Sequence, residues 1–281
     1  MTNSGMLGFI LIIANIVFSY KGFASDLFFE RYKFEVEKIL IYKDYKRIIT
    51  SGFLHVSWMH LIFNMISLYA FSGLIQITLG GFRFLIIYFA SLIGGYLLSL
   101  FVHRHDSDYS SVGASGAICG VMFASIALFP GFGVGLFFIP ISIPGWAFGI
   151  LFVLFSMYGI KSKKDNIGHD VHLGGALIGM AVAIVMQPSA LIENYLTILL
   201  IAVPSIAFIY LIITRPHILL IDNFYFKTHQ KYYTIDEKYN AEKNSRQQEI
   251  DRILDKINKK GMSSLSKDEK EKLEKYSRSM R

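Results

Sequence analysis

Cysteine is almost absent from this chain: Cys119 is the only one among 281 residues. A single cysteine cannot form an intramolecular disulfide, and no Cys/His group has the spacing of a zinc site, so we expect neither a metal nor a cofactor. Charged residues are also scarce, at 17% of the chain, whereas 53% of the residues are hydrophobic. This balance is unusual for a soluble domain and predicts a membrane protein.

The few charges are concentrated in three regions, from Lys21 to Arg47, from Lys161 to Asp170, and after Arg215. Between them lie apolar runs of about 18 or more residues, the length that crosses a bilayer as a helix. The sequence therefore predicts an all-α polytopic membrane protein, a bundle of transmembrane helices. We predict seven spans, at about 4–20, 57–79, 83–102, 113–129, 143–160, 171–188 and 193–214.

The first span has one alternative interpretation, a cleaved secretory signal, because "GFAS" resembles a cleavage site. A signal peptide has basic residues ahead of its apolar run, and this chain has no Lys or Arg there. A transmembrane span is the favoured interpretation.

A polar tail follows the membrane domain from about residue 215 onward. Within it lies an apolar stripe of helical spacing, formed by Ile250, Ile253, Leu254 and Ile257. Gly261 can end that helix, and Ser266 with Glu269 has the spacing of a capping box that starts another. The tail is predicted to form a short helical hairpin, with a merely solvated tail as the alternative. The net charge of +7 is assigned to lipid headgroup contacts and to this tail, not to nucleic-acid binding.

Among the polar residues inside the predicted spans, where such groups are costly, four are functional candidates. His60 and Asn64 are in span two, Ser115 is in span four and His172 is in span six, each near the start of its span. Successive spans alternate in direction, so the starts of even-numbered spans face the same side of the membrane. We expect these four side chains to converge at one depth.

Small residues favour close packing of spans four and six. Gly116, Gly120 and Ala124 recur every four residues in one span, as do Gly175 and Gly179 in the other. This spacing lets helix backbones approach closely in lipid. Such packing would carry Ser115 and His172 toward each other.

Two interpretations of the four polar residues follow. They can be interhelical hydrogen-bonding groups, which is a common role for a serine at an interface of small residues. They can also be catalytic: Ser115 as nucleophile, His172 as base, and His60 with Asn64 as donors to an oxyanion. The spans contain no carboxylate except at their ends, so this chemistry would use a Ser–His dyad, supplied with water from a wet cavity.

These motifs, in this order, resemble the rhomboid family of intramembrane serine proteases over roughly residues 1–190. "HVSWMHLIFN" places His55, His60 and Asn64 in the family's H-x4-H-x3-N pattern, "GASG" contains the nucleophile Ser115, and "HLGGALIG" begins with His172. "KRIITSGFLH" also resembles the family's approach to the second helix. The seventh span and the tail are similar to a bacterial subgroup with one helix added to six.

The resemblance implies a protease core over 1–190, a seventh transmembrane helix over 191–214 and a tail over 215–281. It implies that Ser115 attacks the scissile bond of a transmembrane protein substrate, and that His172 acts as general base and then acid. His60, Asn64 and the Ser115 amide would stabilise the oxyanion, and His55 would support the loop. The expected location is the lipid bilayer of a bacterial cell (inner) membrane.

Three positions depart from the family pattern. Lys46-Arg47 stands where many members have Trp-Arg, which affects how the first loop docks. Cys119 stands where a Tyr often stacks on the catalytic histidine, and Val171 replaces an Ala and adds volume. None of these changes removes the dyad.

Two other classes of function fit parts of the sequence. A catalytically inactive relative would bind membrane segments without cutting them, although such proteins typically lose the serine or the histidine. A small transporter would need an inverted repeat or an intramembrane carboxylate, and neither is evident. Loop charges place the active-site side in the cytoplasm by the positive-inside tendency, whereas the resemblance implies the outer face.

Overall fold

The computed structural model describes residues 5–136, 139–162 and 167–214, and five positions of the tail, Ile253, Lys256, Ile257, Ser266 and Leu273. The chain divides into two compact units, Met1–His229 and Gln230–Arg281.

The elements of the first unit are mostly helices. In chain order they are α1 (Met6–Ala24), α2 (Asp26–Tyr32), β1 (Phe34–Glu35), α3 (Val36–Leu40), α4 (Arg47–Thr50), a 3-10 turn (Ser51–Phe53), α5 (Trp58–Leu79), α6 (Gly81–Val102), β2 (Ser110–Ser111), α7 (Ser115–Leu128), β3 (Gly133–Leu136), β4 (Ile139–Pro144), α8 (Gly145–Ser162), α9 (His169–Met186), α10 (Ser189–Glu193) and α11 (Tyr195–Thr214).

Each of the seven predicted spans coincides with a helix. In the described part of the chain, five of these helices (α1, α5, α6, α9 and α11) are long and apolar enough to cross a membrane. The sequence expectation of an all-α polytopic membrane protein is confirmed.

The two shorter apolar helices are α7 and α8, which match predicted spans four and five. The 14 residues of α7 give it a length of about 21 Å, less than the hydrocarbon core of a bilayer. Every residue of α7 from Gly116 to Leu128 is buried, so neighbouring helices surround it. Its predicted span, 113–129, was slightly too long.

The core of the bundle lies where α6, α7 and α9 meet. A Cβ atom at Gly175 would overlap the carbonyl oxygen of Gly116, and one at Gly179 would overlap that of Gly120. These backbones therefore touch at two points one helical turn apart. The predicted packing of spans four and six through small residues is confirmed.

The loop between α1 and α5 is held in place by Arg47, which is 6% exposed. Its guanidinium donates to the carbonyl oxygens of Glu30 at 2.9 Å and Lys33 at 2.8 Å. Its Nε donates to the Asp44 carboxylate at 3.0 Å. Lys46, which replaces the family's Trp, is exposed and pairs with Asp44 at 3.3 Å. The arginine thus joins three separate parts of the first loop.

Two small sheets flank the bundle. Strand β1 pairs antiparallel with β2, which attaches the first loop to the segment just ahead of α7. Strands β3 and β4 form an antiparallel hairpin between α7 and α8. The sequence analysis did not anticipate either sheet.

The predicted seventh span is the helix α11. The side chain of Asn194, just before it, donates to the carbonyl oxygens of Ala127 at 2.9 Å and Leu128 at 3.1 Å. These bonds satisfy carbonyl groups that the end of α7 leaves unpaired. The division into a core, a seventh helix and a tail at residues 190 and 214 stays a prediction.

The second unit is described at a few positions. Ile253 is buried, and Ile257 and Leu273 pack against it. This contact joins residues of the two predicted tail helices, and the hairpin itself stays a prediction. The other residues named for it, Ile250, Leu254, Gly261 and Glu269, lie outside the described residues.

Candidate active site

Ser115 is the first residue of α7, and a glycine places it there. Gly113 has φ of +132°, a conformation that residues with a Cβ rarely adopt. Its N–H donates to the carbonyl of Ser51 at 3.0 Å, and the Tyr96 hydroxyl donates to its carbonyl at 3.2 Å. The turn before Ser115 is thus fixed by bonds to two other parts of the chain.

His172 lies in the first turn of α9, directly opposite Ser115. Its Nε2 is 2.7 Å from the Ser115 Oγ, a short hydrogen bond between two helices 57 residues apart in sequence. Both side chains are partly exposed. The structure brings together the two residues that the sequence named as nucleophile and base.

His60 and Asn64 lie one turn apart in α5. A Cβ placed on Gly113 would be 3.0 Å from the His60 Nε2 and 3.6 Å from the Ser115 Oγ, so the imidazole and the serine share the space beside that glycine. Asn64 is buried, and its Nδ2 donates to the carbonyl of His60 at 3.0 Å.

All four sequence-predicted site residues line one cavity of about 840 Å³. The first loop contributes Phe29 and Lys33 to the same wall, and the segment before α7 contributes residues 109–112. This volume holds many water molecules. The cavity can therefore admit both an extended peptide and the water that hydrolysis needs.

His55 supports this wall from behind. Its side chain is fully buried, its Nδ1 is 2.8 Å from the Ser19 Oγ of α1, and its ring packs edge-on against His60 at 4.9 Å. Burial, and to a smaller degree the neighbouring His60, lower the pKa of His55 to about 3. The ring is neutral at physiological pH, in keeping with its predicted supporting role.

The aromatic ring beside His172 comes from an unexpected helix. Cys119, one turn beyond Ser115, is buried in an apolar cluster. Phe152 of α8 belongs to the same cluster, and its ring centroid lies 6.1 Å from that of His172. The sequence analysis missed Phe152 because nothing in an apolar helix marks which of its residues meets a given neighbour.

A buried carboxylate also escaped the sequence analysis. The sixth span was placed at 171–188, which left Asp170 just outside it, whereas α9 begins at His169. Asp170 is buried, and its Oδ2 is 3.3 Å from the Nε2 of His103. The signal was present in "GHDVH", an acid at the very end of a span. Among the described residues, no cluster of His, Cys, Asp and Glu is suited to hold a metal ion.

Comparisons with known proteins point to one family for the helical unit. A family described as Rhomboid domain matches residues 42–189, slightly more than half of the chain. This range contains the four site residues. A second family, of unknown function and designated DUF6576, matches residues 233–279 in the tail.

Individual relatives agree with the first match. The chain is 31% identical over 156 residues to "Rhomboid protein 1, mitochondrial" of Saccharomyces cerevisiae, covering 53% of this chain and 45% of the relative. It is 33% identical over 147 residues to "RHOMBOID-like protein 12, mitochondrial" of Arabidopsis thaliana (47% and 43%). It is 29% identical over 167 residues to "Rhomboid protease GluP" of Bacillus subtilis (58% and 31%). The chain spans less than half the length of each of these three.

Proposed function

The chain belongs to the rhomboid family, and from this premise we propose that it is an intramembrane serine endopeptidase that cleaves transmembrane segments of other membrane proteins. The observation that carries the proposal is the 2.7 Å contact between Ser115 Oγ and His172 Nε2 inside a cavity among membrane-length helices. One relative described above is named a protease.

The first half of the reaction forms an acyl-enzyme. Neutral His172 takes the Ser115 hydroxyl proton on Nε2, and Oγ forms a bond to the scissile carbonyl carbon. The carbonyl oxygen becomes an oxyanion, which His60, Asn64 and the amide of Ser115 stabilise as donors. The imidazolium then gives its proton to the departing amine as the C–N bond breaks.

The second half consumes water from the cavity. His172 takes a proton from the water, whose oxygen attacks the acyl carbon. Collapse of this second oxyanion breaks the bond to Oγ, and His172 returns the proton to Ser115. The products are a new carboxyl terminus and a new amino terminus.

The site residues are suited to these roles by their surroundings. The amides in the first turn of a helix have no intrahelical acceptor, so α7 presents donors at Ser115. Asn64 donates from Nδ2 to the carbonyl of its own helix at 3.0 Å, which leaves the second hydrogen of its amide for an oxyanion. Phe152 and the cluster around Cys119 pack beside His172 and limit its rotamers.

The chain is an integral membrane protein by its family and its helices. Its location in a bacterial cell membrane is part of the proposal, since two of the three relatives described above are named mitochondrial. The seventh helix, α11, agrees with the bacterial subgroup that the sequence resembles.

The test is cleavage of a model transmembrane substrate by purified protein in lipid vesicles. We expect Ser115→Ala and His172→Ala each to abolish cleavage while the protein stays folded and inserted. Ser125→Ala is the matched control, because Ser125 lies in the same helix and its hydroxyl bonds only to the Val121 carbonyl at 2.9 Å among the described contacts. A variant of Ser115 or His172 that cleaves at nearly the normal rate would remove the dyad. Binding of substrate without cleavage by the unaltered protein would instead indicate an inactive relative.

A further inference from the structure

The start of α9 carries a buried acid that the proposed chemistry does not use. Asp170 is 6% exposed and lies two residues before His172. A carboxylate at the end of a membrane helix is costly to bury and needs a partner. One partner is His103, just beyond the end of α6, with 3.3 Å between its Nε2 and the Asp170 Oδ2, and the Ser99 side chain of α6 is another.

His103 in turn lies flat against a tyrosine of the cavity wall. The rings of His103 and Tyr109 stack with their centroids 3.5 Å apart and their planes within 6°. Tyr109 is also held by Ser99, whose Oγ is 3.3 Å from the phenol oxygen. Tyr109 lines the same cavity as Ser115 and His172. A continuous set of contacts therefore runs from the start of α9, through the end of α6, to the wall of the candidate site.

Helix geometry separates the roles of Asp170 and His172. Residues two apart in an α-helix point about 200° away from each other. His172 faces Ser115 on α7, and Asp170 faces α6. Asp170 therefore acts on His172 through the helix that both residues share.

The position of that helix end matters for catalysis. The first turn of α9 places Nε2 at 2.7 Å from Oγ. A displacement of about 1 Å at a reacting group can cost about a hundredfold in rate. A contact that fixes the start of α9 against α6 is therefore a direct control on the Ser–His distance.

Stability alone does not account for this pair. A buried carboxylate is costly to desolvate, and apolar residues of similar volume often join two helices equally well or better. An acid and a histidine at this interface are thus a costly way to join two helices that already pack through Gly95 and Gly174.

We propose that Asp170 and His103 are positioning residues for His172. Their contact fixes the start of α9 against α6 and, through the stacked ring of Tyr109, the adjoining wall of the cavity. The inference rests on the proposed protease function and deepens it.

The test compares Asp170→Leu, His103→Phe, the double variant and Asp170→Asn in vesicles with a model transmembrane substrate. Phenylalanine keeps a ring on Tyr109, and asparagine keeps an oxygen facing the His103 Nε2. Active sites are counted by labelling Ser115 to completion with a fluorophosphonate, so kcat refers to folded sites. Thermal unfolding is followed in parallel, and exposed Asp108→Leu is the matched control.

Each single apolar variant should lower kcat by about tenfold or more with little change in KM, because bound substrate meets a misaligned dyad. Each should also lower Tm, since one buried polar partner is left alone. The double variant should recover Tm but not kcat. Asp170→Asn should stay within about threefold of the unaltered kcat, because the side chain keeps its shape and an oxygen facing the His103 Nε2.

Recovery of kcat together with Tm in the double variant would overturn the proposal, since the pair would then be structural only. A loss in Asp170→Asn as large as in Asp170→Leu would also overturn it, and this comparison decides the matter if the double variant does not fold. If the proposed protease function itself is wrong, the unaltered protein will cleave no substrate, or no more than Ser115→Ala does. That outcome differs from either result above.

Discussion

The helices that begin at the cavity and the seventh helix, α11, meet the membrane in different ways. Helices α5, α7 and α9 carry the polar site residues in their first two turns, and α7 and α9 touch through glycines. Helix α11 has 20 residues, and of these only Ile198, Ile201, Ser205 and Ile212 are buried. Its other side chains form a largely apolar surface suited to lipid.

This difference shows that the choice of residue is restricted more strongly in some helices of a membrane protein than in others. A residue of α11 has to be apolar and little else, because lipid accommodates many shapes. A residue of α7 has to fit protein on every side and leave Ser115 at the cavity. Substitutions should therefore have large effects on the inner helices and small effects beyond them.

The largest effect in this comparison is expected at the oxyanion donors on α5. We expect His60→Ala and Asn64→Ala each to reduce cleavage by about a hundred- to a thousandfold, the typical cost of one lost donor. Ser115 should still react with a fluorophosphonate, since the nucleophile and base remain.

The neighbouring Ser67→Ala, which removes a polar group from the same cavity wall, serves as the control. Normal cleavage in the variants of His60 and Asn64, with normal labelling of Ser115, would show that the oxyanion is stabilised elsewhere.

An intermediate effect is expected at Cys119 on α7. A tyrosine at this position would restore the family's usual residue, but Phe152 already packs beside His172 and Cys119 is buried in the same cluster. We expect Cys119→Tyr to overpack the site and to destabilise the protein by about 1–3 kcal/mol.

Thermal unfolding in detergent measures this effect, with Cys119→Ser as the variant of conserved volume. A higher unfolding midpoint with retained cleavage would mean that the pocket beside His172 has room for a second ring. The inner helices would then be less closely packed than the complete burial of α7 indicates.

The smallest effect is expected beyond α11. Deletion of residues 240–281 should leave cleavage in detergent unchanged, because every proposed catalytic residue precedes residue 173. The measurement is kcat of the truncated protein against the full chain. A severe loss of intrinsic activity would make the tail, a region that matches a family of unknown function, part of the catalytic fold.

Much of the bundle could be predicted because lipid imposes a simple rule on sequence. The seven apolar runs gave the seven helices, and the alternating direction of spans placed His60, Asn64, Ser115 and His172 on one side. The contact between α7 and α9 could be predicted from their glycines, since small residues at that spacing typically mark close helix packing in lipid.

The features that were missed depend on which helix faces which. Phe152 lies in α8 and His103 just beyond the end of α6, and the apolar patterns of these helices give no information on their neighbours. The burial of Asp170 was not predicted, because a span boundary set by hydropathy is uncertain by a residue or two. Arg47 holds the first loop by donating to backbone carbonyl oxygens. Every residue has such an oxygen, so no residue type in the sequence marks the acceptors.

The short length of α7 has a consequence for how the protein responds to its bilayer. Helices α5 and α6, with 22 residues each, are about 33 Å long and match the hydrocarbon thickness. Helices of this length follow a change in bilayer thickness by tilting. Helix α7 is enclosed by protein, so the depth of Ser115 relative to its neighbours is set by side-chain packing. With the function proposed above, cleavage would occur at a depth fixed by that packing, and membranes of different thickness would bring different parts of a substrate to Ser115.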